Sequence, residues 1–163
     1  MTDNPTVVAP YYQGWEMYQQ HLLDVVTPLT AEQLDLRTAP HLRSVGTIAT
    51  HIVLVRAGWL YFVLKIGGDV LGPIGAWGAS DQQSRSAAEL ADGLRITWQV
   101  IDDALNRWSY ADLQELVTDV EDDGTEVTHT RQWVLWHLLE HDMHHGGELS
   151  FALGTHGVPA INL

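Results

Sequence analysis

Four separate stretches of this chain repeat apolar residues at alternating intervals of three and four. That spacing restricts them to amphipathic helices packed face to face. In the first, Tyr11, Trp15, Tyr18, Leu22, Val25 and Leu29 share one side, and Pro28 predicts an end near the residue before it. Thr30 and Gln33 then have the spacing of a capping box for a short turn holding Leu34. The second helix is expected to start at Ser44, to turn Ile48, Ile52, Val55, Trp59, Phe62, Val63 and Ile66 inward, and to stop at Gly67 and Gly68. Gly67 to Ser84, rich in glycine and interrupted by Pro73, reads as a loop whose Trp77 folds back over an apolar surface.

A second capping box, Ser86 with Glu89, opens the third helix, with Leu90, Leu94, Trp98, Ile101, Leu105 and Trp108 along its stripe. Tyr110 to Glu115 adds a turn. Asp123-Gly124, inside Val117 to Thr130, predicts a short β-hairpin. The last helix runs from about Arg131 to Leu153 and closes at Gly154. The expected architecture is all-α, a single domain over 1–163. It is a four-helix bundle with a long connection between the second and third helices and a β-hairpin before the fourth. The long connection suits either neighbouring or crossover topology.

The fourth stripe carries the chemistry. Val134, Leu138, His141, His145, Leu149 and Ala152 share one face, and the two residues at its middle are histidines. Four residues apart, their rings lie one turn apart on the same side and can reach one ion. A lone core histidine is usually just hydrogen-bonded. Two on one inward stripe carry acceptors that a shared metal would satisfy together. His51, between Ile48 and Val55, is the best third ligand, because its apolar neighbours make a poor setting for an unpaired ring. His21 is weaker, with Gln20 and Asp24 beside it. His41, His129 and His156 fall in expected loops and read as solvated.

The rest of the composition narrows the alternatives. There is no cysteine, which removes disulfides, Cys-ligated zinc and a thiol nucleophile of the chain's own. The net charge is −13 with only 8 Lys and Arg, so phosphate neutralisation by a basic surface is not expected and nucleic acid is excluded as a partner. No apolar run reaches the ~18 residues of a membrane span, and no basic-then-apolar leader opens the chain. These features suit a cytoplasmic protein with no membrane partner.

Two local patterns compete. His137, Glu140 and His141 spell the inverted zinc-peptidase signature, but that motif needs a further ligand from a much larger enzyme. Asp119, Glu121, Asp123 and Gly124 echo the start of a calcium loop, yet Thr130 stands where the bidentate glutamate belongs, so a solvated acidic turn is expected.

The turn Leu29 to Leu34, the run Ser44 to His51, the segment Trp136 to Leu149 and the closing Gly157-Val158-Pro159 together resemble the DinB/YfiT-like superfamily, a group of metal-binding four-helix bundles. The resemblance spans most of the chain and implies zinc or nickel held by His51, His141 and His145. One departure stands out: Gly146-Gly147-Glu148 replaces the Arg-Gly-Gln common in that group. Two glycines inside a helix each cost roughly 1 kcal/mol against alanine, which close approach of another helix or of a ligand would offset.

Three neutral imidazoles leave a coordination position open. A water there could become a hydroxide for hydrolysis, or a low-molecular-weight thiol could bind as thiolate. The resemblance favours thiol-dependent S-transfer to an electrophile. Glu148 or Asp142 would then orient a ligating imidazole, and Arg56 or His144 would contact the thiol cofactor. A metal-dependent hydrolase and a non-catalytic metal- or ligand-binding stress protein are the alternatives. The resemblance, together with 7 tryptophans, also suggests a homodimer.

Overall fold

A computed structural model describes residues 7–78, 83–120 and 123–163. Glu121, part of the calcium-loop echo, the N-terminal six residues and part of the expected Gly67 to Ser84 loop lie outside the described residues.

The four long helices are α1 (Gln13–Val26), α3 (Val45–Gly58), α5 (Ala87–Leu105) and α7 (Arg131–Gly154). Short helices α2 (Ala31–Leu34), α4 (Gly72–Gly75) and α6 (Tyr110–Leu113) lie between them. Strands β1 (Leu116–Val120) and β2 (Glu126–Thr130) form the expected antiparallel hairpin, pairing Leu116 with Thr130 and Val120 with Glu126. Gly124 takes the turn at φ +83°.

Local signals set the helix starts. Thr30, Ser44, Ser86 and Thr130 each accept a hydrogen bond from the backbone N–H three residues on. Thr30 with Gln33 and Ser86 with Glu89 complete reciprocal capping boxes.

α3 packs against both α5 and α7, and α1 packs against the same two helices. The long connection therefore joins neighbours, while the paths from α1 to α3 and from α5 to α7 cross the bundle.

Two turns shift the expected stripes. Ala9–Tyr12 is a 3₁₀ turn, so Tyr11 falls out of phase with α1 and is 81% exposed. Trp59–Val63 is a π-helical turn closed by Leu64 N–H to the Trp59 carbonyl at 2.9 Å. The extra residue in that turn buries Leu60 and leaves Phe62 67% exposed, against expectation. The segment after Gly67 is also more ordered than a loop: a 3₁₀ turn (Gly68–Leu71) runs into α4. Trp77 does fold back. A Cβ on Gly93 would lie 2.6 Å from its ring and 2.8 Å from Val53, so only glycine fits beneath it.

Val45–Val63 is long and apolar enough to cross a membrane by length and composition alone, contrary to expectation, with half of it buried inside the protein. It carries His51 and the buried Arg56 and packs as a core helix.

The core forms two apolar clusters. One gathers Leu22, Ile48, Ile52, Leu90 and Leu149; the other gathers Trp15, Leu60, Ile101, Leu135 and Leu138. Each long helix sends one residue into a buried polar network: Gln19, Arg56, Thr97 and Asp142. Arg56 donates from Nε to Asp142 Oδ1 at 2.8 Å and from Nη2 to Oδ2 at 2.7 Å. Its Nη1 donates to Gln19 Oε1 at 2.8 Å, and Trp15 Nε1 donates to Asp142 Oδ2 at 2.6 Å. Every charge in this layer is paired, which is the condition for burying it at all.

The adjacent glycines of α7 separate. A Cβ on Gly146 would sit 2.2 Å from the Tyr18 hydroxyl of α1, so helix approach accounts for it. Gly147 has nothing within 4 Å. Gly147→Ala is therefore expected to raise stability by up to about 1 kcal/mol, and Gly146→Ala to lower it. Paired denaturant melts check this. A loss of stability on substituting Gly147 would contradict the open space beside it.

Candidate metal centre

Packing of α3 against α7 brings the three expected histidines together. His51 comes from the middle of α3, and His141 and His145 from successive turns of α7. One nitrogen from each lies within 4.8 Å of the others. His141 Nε2 is 3.2 Å from His51 Nε2. Nitrogens each about 2.0–2.1 Å from a tetrahedral zinc would lie about 3.3 Å apart, so this separation suits two ligands of one ion. The His51 ring centroid is 4.7 Å from that of His145, and the His141 centroid is 4.4 Å from it.

The donor set fits a cation in a second respect. His141 Nε2, the nitrogen turned to the cluster, faces His51 Nε2, and an ion between the two rings would take up a lone pair from each.

His141 is also held neutral. Burial, then the rings of His145, His51 and His137 and the Arg56 charge, push its pKa down to about 3. A metal arriving at neutral pH displaces no proton from it. The sign for stability follows. The unfolded chain protonates this group near 6.5, while the folded chain does not until about 3. Between those values the unfolded state binds the extra proton, so stability falls as pH drops from about 6.5 toward 3. Melts of the metal-free protein across this window are expected to show that fall, and His141→Gln is expected to flatten it. Parallel profiles would contradict the assignment.

His145 Nδ1 lies 2.9 Å from Glu148 Oε2. A carboxylate there can only accept, so Nδ1 carries the proton and Nε2 keeps its lone pair. Burial, ahead of the opposing pull of Glu148, lowers the His145 pKa. Arg43 Nη2 donates to the same Glu148 oxygen at 3.2 Å and holds it in place. Sequence reasoning missed Arg43, which lies before the Ser44 cap. Its only signal was a cation next to the start of the helix that carries His51.

Of the two residues expected to orient an imidazole, Glu148 is the one in contact with a ring of the cluster, that of His145. Asp142 is fully buried and committed to Arg56 and Trp15. Arg56, expected at the thiol, is equally buried and bonded to Asp142. His144 is exposed beside His145, with centroids 4.7 Å apart. His144, His145 and Glu148 also lie close enough to share an ion, but His145 and Glu148 already bond each other there.

His137 is not in the cluster. It stacks on Trp133 at 5.2 Å, and His129 stacks on the same indole at 3.9 Å. Trp59 packs edge-on against both histidines. His129, expected in a solvated loop, therefore lies half-buried in β2. His41 and His156 are exposed, and His21 lies outside the cluster.

Glu148→Gln, which weakens the hold on His145, is expected to reduce metal affinity about 10- to 100-fold with little change in fold. Competition against a chromogenic chelator measures it. Unchanged affinity would remove Glu148 from the site.

The DinB family model matches residues 1–163. No curated protein matches. Among solved structures, the chain is similar to a DinB-like protein from Bacillus cereus ATCC 10987. The TM-score is 0.69 at 22% identity, covering 96% of this chain and 97% of that one. At that identity the likeness speaks for the fold.

Proposed function

The chain belongs to the DinB family, and from that premise we propose that it is a metal-dependent S-transferase. In this reading it joins a low-molecular-weight thiol to an electrophile, with His51, His141 and His145 holding one divalent ion, zinc or nickel. The observation that carries the reading is the convergence of three imidazoles, one of them held neutral, in a chain with no cysteine. A divalent ion there would favour the ionised form of an incoming thiol, supplying the nucleophile that the chain lacks.

The chain's own residues do the rest. Glu148 keeps the proton of His145 on Nδ1, and Arg43 keeps Glu148 in place. Arg43, about one-third exposed at the side chain, replaces Arg56 as the cation able to meet a carboxylate on the thiol. His144 is the second polar group at the rim. The sulfur–carbon bond forms as the electrophile's leaving group departs with its electron pair, and the thiol proton passes to solvent.

The test incubates metal-loaded protein with mycothiol, bacillithiol or glutathione and 1-chloro-2,4-dinitrobenzene. Conjugation that needs both the ion and one of these thiols is expected. Absence of metal-dependent conjugation with all three would overturn the reading.

A further inference from the structure

Beside His51 a groove of about 880 Å³ opens between α3, its π-helical turn and the segment through α4. That volume suits a small organic ligand. His51, from the metal cluster, forms part of its wall, so the groove and the cluster share a residue. The remaining wall is largely apolar: Leu54, Val55, Leu71 and Ile74, with Tyr61 and Phe62 beside them. Those two rings meet edge to face at 5.1 Å, and both are at least half exposed. The π-helical turn that upsets the stripe of α3 is what places them there, and such turns often mark functional positions.

Glycine keeps the groove open. Gly58, Gly72 and Gly75 all line it, and a Cβ on any of them would meet no atom of the described residues within 4 Å. None has the positive φ that would require glycine, and helix formation disfavours glycine at such positions. Among the described residues, neither backbone conformation nor packing explains three such residues around one cavity. An occupant does.

Charge defines its class. Among the described residues, the ionisable side chains on the wall besides His51 are Asp69 and Tyr61, and no lysine or arginine lines it. With a net charge of −13 on the chain, the field there disfavours anions.

We propose that this groove binds the electrophilic substrate, an uncharged aromatic or branched apolar molecule, with its reacting end toward His51. The proposal rests on the S-transferase reading for what happens next, but not for binding itself.

A matched pair of probes tests it. N-phenyl-1-naphthylamine is uncharged, and 8-anilino-1-naphthalenesulfonate adds one sulfonate to the same skeleton. Both are titrated by fluorescence into metal-free and metal-loaded protein, and into Gly58→Leu and Gly75→Leu, which fill the groove from α3 and from α4. The neutral probe is expected to bind both metal states and to bind at least about tenfold more tightly than the sulfonate. Each folded variant is expected to lose at least about tenfold in affinity for it, with unchanged metal stoichiometry and an unchanged or higher Tm. Equal binding of the two probes, or parental affinity in a folded variant, overturns the proposal. Metal uptake without probe binding overturns the groove alone. Probe binding that both variants abolish, in a protein that takes up no metal, supports the groove and removes the S-transferase reading.

Discussion

Asp142→Ala is expected to destabilise the fold by about 3–5 kcal/mol, a large share of the ~5–15 kcal/mol that holds a domain of this kind together. The reason is the partner left behind. Arg56 is fully buried and makes two of its hydrogen bonds to this carboxylate. Without it, a guanidinium remains in the core with Gln19 and, at 3.5 Å, Thr97 as its remaining partners. Trp15 loses its acceptor as well. Replacing both charges, as Arg56→Met with Asp142→Leu, is expected to recover much of the loss, because an apolar pair of similar volume carries no desolvation penalty. Chemical denaturation of the three proteins gives the comparison. A double variant no more stable than Asp142→Ala would mean that the bonds themselves, rather than the stranded charge, hold the helices together.

The second large effect is metal-linked stability. An ion bound by the folded chain alone adds about 4 kcal/mol when its free concentration is a thousand times the Kd. Because the site joins α3 to α7, the gain is expected as a rise in Tm on adding zinc or nickel to metal-free protein, reversed by chelator. His141→Ala is expected to remove the rise while melting cooperatively by itself. An equal rise in that variant would place the bound ion elsewhere, with the group formed by His144, His145 and Glu148 as the next candidate.

The parts of the fold that local chemistry dictates could be read from the chain. The capping residues Thr30, Ser44 and Ser86 act within one turn of themselves, so their spacing suffices. His141 and His145 were legible because two histidines interrupt an otherwise apolar stripe. His51 was legible because its own turn is apolar. Tyr11 and Phe62 were not, because a 3₁₀ turn and a π-helical turn change the residues per turn without a clear mark in composition. Nor was the burial of Arg56 and Asp142. An arginine on a helix normally reaches solvent, and its burial requires Gln19, Thr97 and Asp142 to arrive from three other helices. His129 looked like a loop residue until the hairpin laid it on Trp133. Arg43 acts across 105 residues of sequence on Glu148, a distance at which pattern carries nothing.

The convergence of His51, His141 and His145 is tested most directly by elemental analysis of protein purified without added metal or chelator, with His141→Ala treated in parallel. One divalent transition-metal ion per chain in the parent, and almost none in the folded variant, is the expected result. A parent free of metal that takes none up on addition, or a variant that keeps its full complement, would contradict the account.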